Sequence, residues 1–577
     1  MRQVNVADYI CEFLISKGIH DAFGYQGGMI AYFFDALGKY KDQIELHVPY
    51  NEQGAAFAAN GFAQISGKCG FACSTCGPGF MNLLGGMANA YLESIPMIFI
   101  SAEVNWKDKA HDLPLRQRGF QQMNEHEVAI PICKKVYDIN YGYEIKDALR
   151  EGYRIATTGR KGPVFFEIPI NVFRAVVDIQ EGEFDEEPIV YDQHLDAKFD
   201  QILSGLMQSK QPVIVAGSGI NQSGCRDLFR RFIEAYQIPT VTSMPAVDVL
   251  PDSWPCKFNF IGASGTRLPN YIVSKADYVI AIGSRLAQRQ VGHRLPTFAP
   301  RATLVRFDLD SNEFSRQIKD EEIDVNASIV DFLNYAVIHV EDYKTDRKEW
   351  IASCNSLRPI FGKYDKSFGN YLFETITSYL PEDANIVLDV GKNELWGSQS
   401  SEIKRDTRLI SSTSYATMGY SLPASIGAYI ANRKPTFSFN GDGGIQMNIQ
   451  ELNVLSHFRY PIKVFVLNNH ALGNITSFQD QYFGSRYVGT KEVTGQYFSA
   501  PILRIAEAYG IHSVRLDSPD DIANHLEELL NDEPVVFEIE VPVDDPANPN
   551  IVCGNDLLTS STPIPEDDAE RIKAIMN

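Results

Sequence analysis

Apolar positions along this chain alternate between two spacings. From Val6 to Lys17 they return at helical spacing, short apolar runs at Ala22–Gly24 and Ile44–Val48 read as strands, and an Ala-rich helix opens at Gln53. The alternation continues through strands at Gly70–Ser74, Met97–Ser101 and Pro163–Ile168, with a helix at Asn82–Tyr91 between the first two. Runs that are apolar throughout belong to strands covered on both faces, as in parallel sheets flanked by helices.

The same rhythm restarts twice. An acidic stretch from Glu181 to Glu187, ending in Pro188, reads as a linker. A second unit begins at Pro212-Val-Ile-Val-Ala-Gly217 and carries strands at Thr240–Thr242, Tyr278–Ile282 and Thr303–Asp308. A charged interval, Val340–Lys348, precedes a third unit with strands near Asn385–Leu388, Thr436–Asn440, Lys463–Leu467 and Val535–Ile539. Beyond Asp544 the chain is polar and Pro-rich, which suits a surface wrap. At roughly 100–200 residues per domain, 577 residues hold several domains. The pattern predicts an α/β protein of three consecutive doubly wound parallel-sheet domains, at residues 1–178, 190–340 and 360–545, with a tail at 546–577.

An apolar fraction of 44% and a charged fraction of 22% are those of a globular protein. The net charge of -21, with no basic block, excludes a broad nucleic-acid-binding face. No apolar run approaches the ~20 residues of a membrane span, and the first residues lack an apolar signal core, so a cytoplasmic location is expected. The nine cysteines are dispersed, which suits reduced thiols; Cys73-Ser-Thr-Cys76 is the one close pair, and no second ligand pair supports a metal reading.

Candidate chemistry concentrates in the third unit. Gly441-Asp442-Gly443 follows one strand and Asn468-Asn469 follows the next. Glycine turns let backbone amides approach phosphate, and a carboxylate with an amide oxygen makes a hard ligand set suited to Mg²⁺. In the first unit Glu52 precedes the helix at Gln53, where an acid also stabilises the helix dipole. Val215-Ala-Gly-Ser-Gly-Ile220 is a weak dinucleotide fingerprint, because its third glycine is misplaced at Gly224.

Taken together, Gly441-Asp-Gly-Gly-Ile-Gln-Met-Asn-Ile-Gln-Glu-Leu452 and Val466-Leu-Asn-Asn-His-Ala-Leu-Gly473 resemble the diphosphate-binding signature of thiamine-diphosphate enzymes, in the acetolactate synthase branch. The resemblance implies that Asp442, the Asn469 side chain and the Ala471 backbone oxygen hold Mg²⁺, with Gly441, Gly443, Gly444 and Gly473 around the diphosphate. Ser412–Gly427 is similar to the segment under the cofactor, so Met418 would wedge between its rings and the Ala416 carbonyl would accept from its amino group. Asp389–Trp396 resembles the turn reaching the diphosphate, with Lys392 and Asn393 where the synthases have Gln and His.

In the first, pyrimidine-binding domain the resemblance makes Glu52 the catalytic acid, with Asn51 in place of the family His. Phe23-Gly-Tyr-Gln-Gly-Gly-Met29 resembles a synthase loop whose Pro is here Gln26, and Gly27 and Gly28 would approach the reacting carbons. Cys76-Gly-Pro-Gly puts Cys76 at a family Ser position. Leu115–Gln122 matches a loop in which Phe120 and Gln121 face the thiazolium.

Phe260–Thr266, Ile282–Arg289 and Phe307–Asp310 of the middle domain resemble FAD-binding segments, with Ala287-Gln288 where the synthases carry an Asp pair, so FAD is left open. Arg285 matches a residue that meets the second oxo acid, and Phe478 stands at the acceptor-selecting Trp. The expected activity is decarboxylation of a 2-oxo acid, pyruvate above others, with transfer of the acyl unit to a carbonyl acceptor in a homodimer or homotetramer. Two-carbon transfer to a keto sugar nucleotide and simple decarboxylation are the alternatives.

Overall fold

A computed structural model describes residues 2–110, 113–184, 195–549, 551, 554–560 and 563–576. Residues 185–188 of the expected linker, and 190–194 at the expected start of the middle domain, lie outside the described residues.

Three six-stranded sheets follow one another, each with all its strands parallel. In spatial order the first runs Glu45–His47, Asp21–Gly24, Gly70–Thr75, Met97–Glu103, Pro163–Pro169, Lys135–Asp138. The third repeats that topology as Arg408–Ser411, Asn385–Leu388, Thr436–Gly441, Ile462–Asn468, Val535–Glu540, His512–Leu516. The middle sheet runs Lys257–Phe260, Thr240–Thr242, Pro212–Ala216, Tyr278–Ile282, Thr303–Phe307, Glu322–Val325, with its order reversing between Pro212–Ala216 and Tyr278–Ile282. In such sheets ligands bind beyond the carboxyl ends of the strands where the order reverses. Three crevices are thereby set by topology.

The runs read as strands are the inner strands of these sheets, apart from Ile44–Val48, which gives the edge strand Glu45–His47. Those the pattern did not show, Lys135–Asp138, Lys257–Phe260, Glu322–Val325, Arg408–Ser411 and His512–Leu516, are all edge strands. An edge strand meets solvent along one side, so its sequence mixes charged with apolar positions, as in Glu-Ile-Asp-Val. The charged interval Val340–Lys348 is also not open chain. It forms the helix Val340–Tyr343 and the start of Lys348–Ser356, with Arg347 buried and donating to the Leu206 carbonyl at 2.8 Å. The tail does more than wrap a surface: its helix Glu566–Met576 sets Ile572 into the middle domain's core beside Trp350, and Leu557 joins the same core.

The first and third domains pack through the helices Glu52–Ser66 and Ser421–Asn432. A Cβ on Gly61 would overlap the Ala424 carbonyl, and one on Gly427 would overlap that of Ala58. The two backbones therefore touch, and a joint core of Ala55, Ala59, Leu422, Ile426 and Val464 forms around them. This contact carries Glu52 to the edge of the third domain.

Candidate active site

The crevice of the first sheet is built around Glu52. Its helix is capped by Asn51, whose Oδ1 accepts from Gln53 N at 2.8 Å. The Glu52 side chain is buried, and Asn82 Nδ2 donates to its Oε2 at 2.9 Å. A Cβ on Gly79 would lie 3.0 Å from Glu52 Oε1, so the bare glycine leaves the carboxylate room. The turn that carries Gly79 begins at Gly77, where φ is 64° and a Cβ would overlap the Gln121 carbonyl. Gln121 itself stands at φ 66°, a left-handed conformation that non-glycine residues hold under strain. Phe120 is 75% exposed, and Gly28 faces open space.

The third sheet supplies a second group. Asp389, ending one strand, is fully buried and accepts from Gly419 N at 3.1 Å and Tyr420 N at 2.8 Å. Burial pushes its carboxyl up to about 6, against the pull of those N–H groups. Asp389 thus ties down the segment bearing Ala416, at φ 58°, and Met418. The Met418 methyl would sit 3.6 Å from a Cβ on Gly443, so it overhangs the glycine turn, and Gly444 packs against the Asp389 carboxylate.

Asp442 follows Gly441 at the end of the next strand. Ser499 Oγ donates to its Oδ2 at 2.6 Å and Tyr497 Oη at 2.9 Å. Burial raises its carboxyl, and the two hydroxyls oppose that rise. On the other side the Asn469 side-chain amide lies 3.1 Å from Asp442 Oδ1 and 2.7 Å from the Ala471 carbonyl, and with its nitrogen turned to them it donates to both. With its oxygen turned inward the same buried amide would join a carboxylate and a carbonyl as a third oxygen. An oxygen set of that kind suits a hard cation.

Lys392 and Asn393, expected beside the diphosphate, both make hydrogen bonds within the chain. Lys392 Nζ donates to the Asp545 carbonyl at 2.7 Å, and its stem lies beside Gly473. Asn393 clasps two strand ends, its Nδ2 donating to the carbonyls of Asp389 at 2.8 Å and Phe439 at 3.3 Å. Both contacts have one cause: these side chains are buried, so their polar ends are satisfied locally.

Within the chain, Gln53 Oε1 accepts from Asn448 Nδ2 at 3.3 Å, and Asn448 donates to Gly419 O at 2.8 Å. No hydrogen bond among the described residues joins Glu52 itself to the third-domain group. Arg285 lines a separate cavity of about 470 Å³ at the reversal point of the middle sheet, whose wall includes Ser243, Arg289 and Ser414. Phe478, on the helix Gly473–Phe483, is 50% exposed and packs against Tyr482 and Phe483. Cys73 and Cys76 are buried free thiols. Sequence reasoning missed Tyr497, Ser499, Asn82 and the clamp made by Asp389. The first three are single polar residues in loops or a helix turn, with no local pattern to mark them.

The chain matches three family models: the thiamine pyrophosphate (that is, thiamine diphosphate) enzyme N-terminal TPP binding domain over residues 4–128, the central domain over 199–335, and the C-terminal TPP binding domain over 389–539. It is 32% identical to the acetolactate synthase large subunit of Lactococcus lactis subsp. lactis, covering 94% of each chain. It is 31% identical to a probable acetolactate synthase large subunit of Methanocaldococcus jannaschii, over 97% of this chain and 95% of the relative. The Escherichia coli acetolactate synthase isozyme 2 large subunit is 28% identical, over 93% and 96%. With both crevices built from the segments these models cover, the chain belongs to the thiamine-diphosphate-dependent enzymes of the acetolactate synthase large-subunit family.

Proposed function

We propose that this enzyme decarboxylates pyruvate and passes the two-carbon acyl unit to a carbonyl acceptor, with thiamine diphosphate and Mg²⁺ held between the two crevices. The observation that carries the reading is the proximity of Asp442 Oδ1 and the Ala471 carbonyl to the Asn469 side-chain amide, both within 3.1 Å of it, behind the Gly441–Gly444 turn. This donor set fits Mg²⁺, which takes few protein oxygens and leaves the remaining positions to water and phosphate. Thiamine diphosphate supplies an electron sink for the carbanion left when carbon dioxide departs.

The chain's residues hold and orient. Asp442, Asn469 and Ala471 would hold the metal, and Gly441, Gly443, Gly444 and Gly473 leave backbone open to the diphosphate. Met418, over the Gly443 turn, would support the bent cofactor, and the Ala416 carbonyl would accept from its amino group. Glu52, buried and steadied by Asn82, would hold a proton at the pyrimidine nitrogen. Phe120, Gln121 and Gly28 would border the reacting carbons, and Phe478 the acceptor. Lys392 and Asn393 act by fixing the turn beneath the diphosphate.

A homodimer is the assembly we assign. Its support is that Glu52 and Asp442 stand in separate groups within one chain, while Phe120, Phe478, Phe483 and Phe498 are exposed. A symmetric partner would close one group over the other. For the middle cavity we assign FAD: Ser243 Oγ is buried without a partner in its wall, and Arg285 and Arg289 supply guanidinium groups suited to a diphosphate. A flavin absorption band in the purified protein, or on adding FAD, is the expected result; no band and no binding would end that assignment. The described cysteines are all free and buried, which suits the reducing cytoplasm.

Purified protein given pyruvate, Mg²⁺, thiamine diphosphate and a panel of oxo-acid and keto-sugar-nucleotide acceptors is expected to form a ligated product. Acetaldehyde as the sole product with every acceptor would overturn carboligation. Tyr497→Phe removes one donor to Asp442, so Mg²⁺-supported cofactor affinity should fall about tenfold, the lower end for an outer partner of a metal ligand. Titration calorimetry reads it.

A further inference from the structure

A group of buried acids behind the first crevice plays no part in the scheme above. Glu125 opens the helix Glu125–Ala129 and is fully buried, and Gly77 N donates to its Oε1 at 2.7 Å. Its Oε2 is buried with no hydrogen-bond partner, as is Oε2 of the neighbouring Glu103. Glu167 completes the group. Its Oε1 accepts from Lys109 Nζ at 2.6 Å and its Oε2 from His126 N at 3.0 Å. Lys109 is also bonded to Asp138 at 2.9 Å, so the one ammonium in the group is already shared by two carboxylates. Among the described residues neither Glu103 nor Glu125 makes an ion pair, although the Lys109 charge is felt at Glu103.

Burying a carboxyl group without a counter-ion is costly, and here a glutamine would accept the same N–H. The acid's location is informative. Gly77 has φ 64°, a Cβ there would overlap the Gln121 carbonyl, and Gln121 is itself held at φ 66°. Gly79 of the same turn packs against Glu52. One hydrogen bond from Gly77 to Glu125 therefore fixes a turn that touches the catalytic acid on one side and the Gln121 loop on the other. Burial and the nearby Glu167 push the Glu125 carboxyl well above the ordinary carboxyl range.

We propose that Glu125 is a positioning residue for carboligation: by holding Gly77 N–H beneath the Cys76–Gly79 turn, it keeps Gln121 in the strained conformation that shields the acyl unit until the acceptor arrives. The proposal rests on the carboligase reading above. Decarboxylation depends chiefly on the Glu52 and Asp442 groups, whereas transfer also needs the Gln121 loop in place. Losing the hold should release the acyl unit early, as free aldehyde.

The test compares Glu125→Ala with Glu125→Gln in the full-length protein, reading ligated product against free acetaldehyde from pyruvate. Glu125→Ala is expected to shift that ratio toward acetaldehyde on the order of tenfold, since loss of positioning of this kind costs up to about 10²-fold. Glu125→Gln, which keeps an acceptor for Gly77, should restore most of it. An unchanged ratio in Glu125→Ala would overturn the proposal, as would equal damage from Glu125→Gln. If Glu125→Ala does not fold, Gly77→Ala reads the same coupling, because its methyl would press on the Gln121 carbonyl; there an unchanged ratio overturns it. A second arm needs no turnover. Tryptic cleavage after the exposed Arg116 and Arg118 of the ligand-free protein should quicken in Glu125→Ala and not in Glu125→Gln. Should the wild-type protein make no ligated product, the carboligase reading fails, and this arm still decides whether Glu125 holds the loop.

Discussion

Glu52→Gln is expected to lower pyruvate turnover by about 10²–10⁴-fold, the usual contribution of a placed acid–base group, while leaving cofactor binding largely intact. The two quantities separate because Glu52 belongs to the first crevice, where its carboxyl is buried beside Asn82 and Gly79, whereas the residues proposed to hold the metal and diphosphate belong to the third. The amide has the shape of the acid and keeps an oxygen for Asn82, but it has no proton to share. Initial rates of total product, alongside calorimetric titration with thiamine diphosphate and Mg²⁺, check both halves. Full turnover in the variant would remove Glu52 from the chemistry; lost binding with it would recast the residue as part of the cofactor's seat.

Glu52 was singled out by the resemblance to thiamine-diphosphate enzymes, since by itself an acid opening an Ala-rich helix reads as a partner of the helix dipole. Gly441-Asp442-Gly443 and Asn469, each following a strand, carried a local pattern of their own, a hard ligand set beside a glycine turn. The same holds for the inner strands, which are apolar because helices cover both faces. Edge strands such as Lys135–Asp138 escaped, since a strand wet on one side has no unbroken apolar run. What stayed hidden is long-range. Nothing near Lys392 announces that the Asp545 carbonyl will occupy its ammonium, and nothing near Asp442 announces Tyr497 and Ser499. Glu125 is one acid among several in a polar loop until the fold buries it under Gly77. Motif reasoning finds the residues that chemistry requires, while the groups that hold them are chosen by packing and emerge only with the structure.

Asp442→Ala is expected to abolish Mg²⁺-supported retention of thiamine diphosphate, weakening it by more than the roughly 10–100-fold that outer-shell changes cost. Asp442 Oδ1 and Ala471 O both lie within 3.1 Å of the Asn469 amide, and with the amide oxygen turned inward the three oxygens repel one another until a divalent cation relieves them. Asp442 brings the only formal charge of the three, so its loss should exceed that of Asn469→Ala, which removes a neutral ligand. The fold should survive, because the alanine ends the repulsion and leaves only the Tyr497 and Ser499 hydroxyls to find water. Chelation of wild-type enzyme should reproduce the loss and added Mg²⁺ reverse it, whereas Asp442→Ala should stay inactive at any Mg²⁺ concentration. If Asn469→Ala proved the more damaging, the charge argument would be wrong and the amide would instead be the donor that ties Asp442 to Ala471. Retention of cofactor at wild-type affinity by a folded Asp442→Ala protein would move the metal site away from these oxygens altogether.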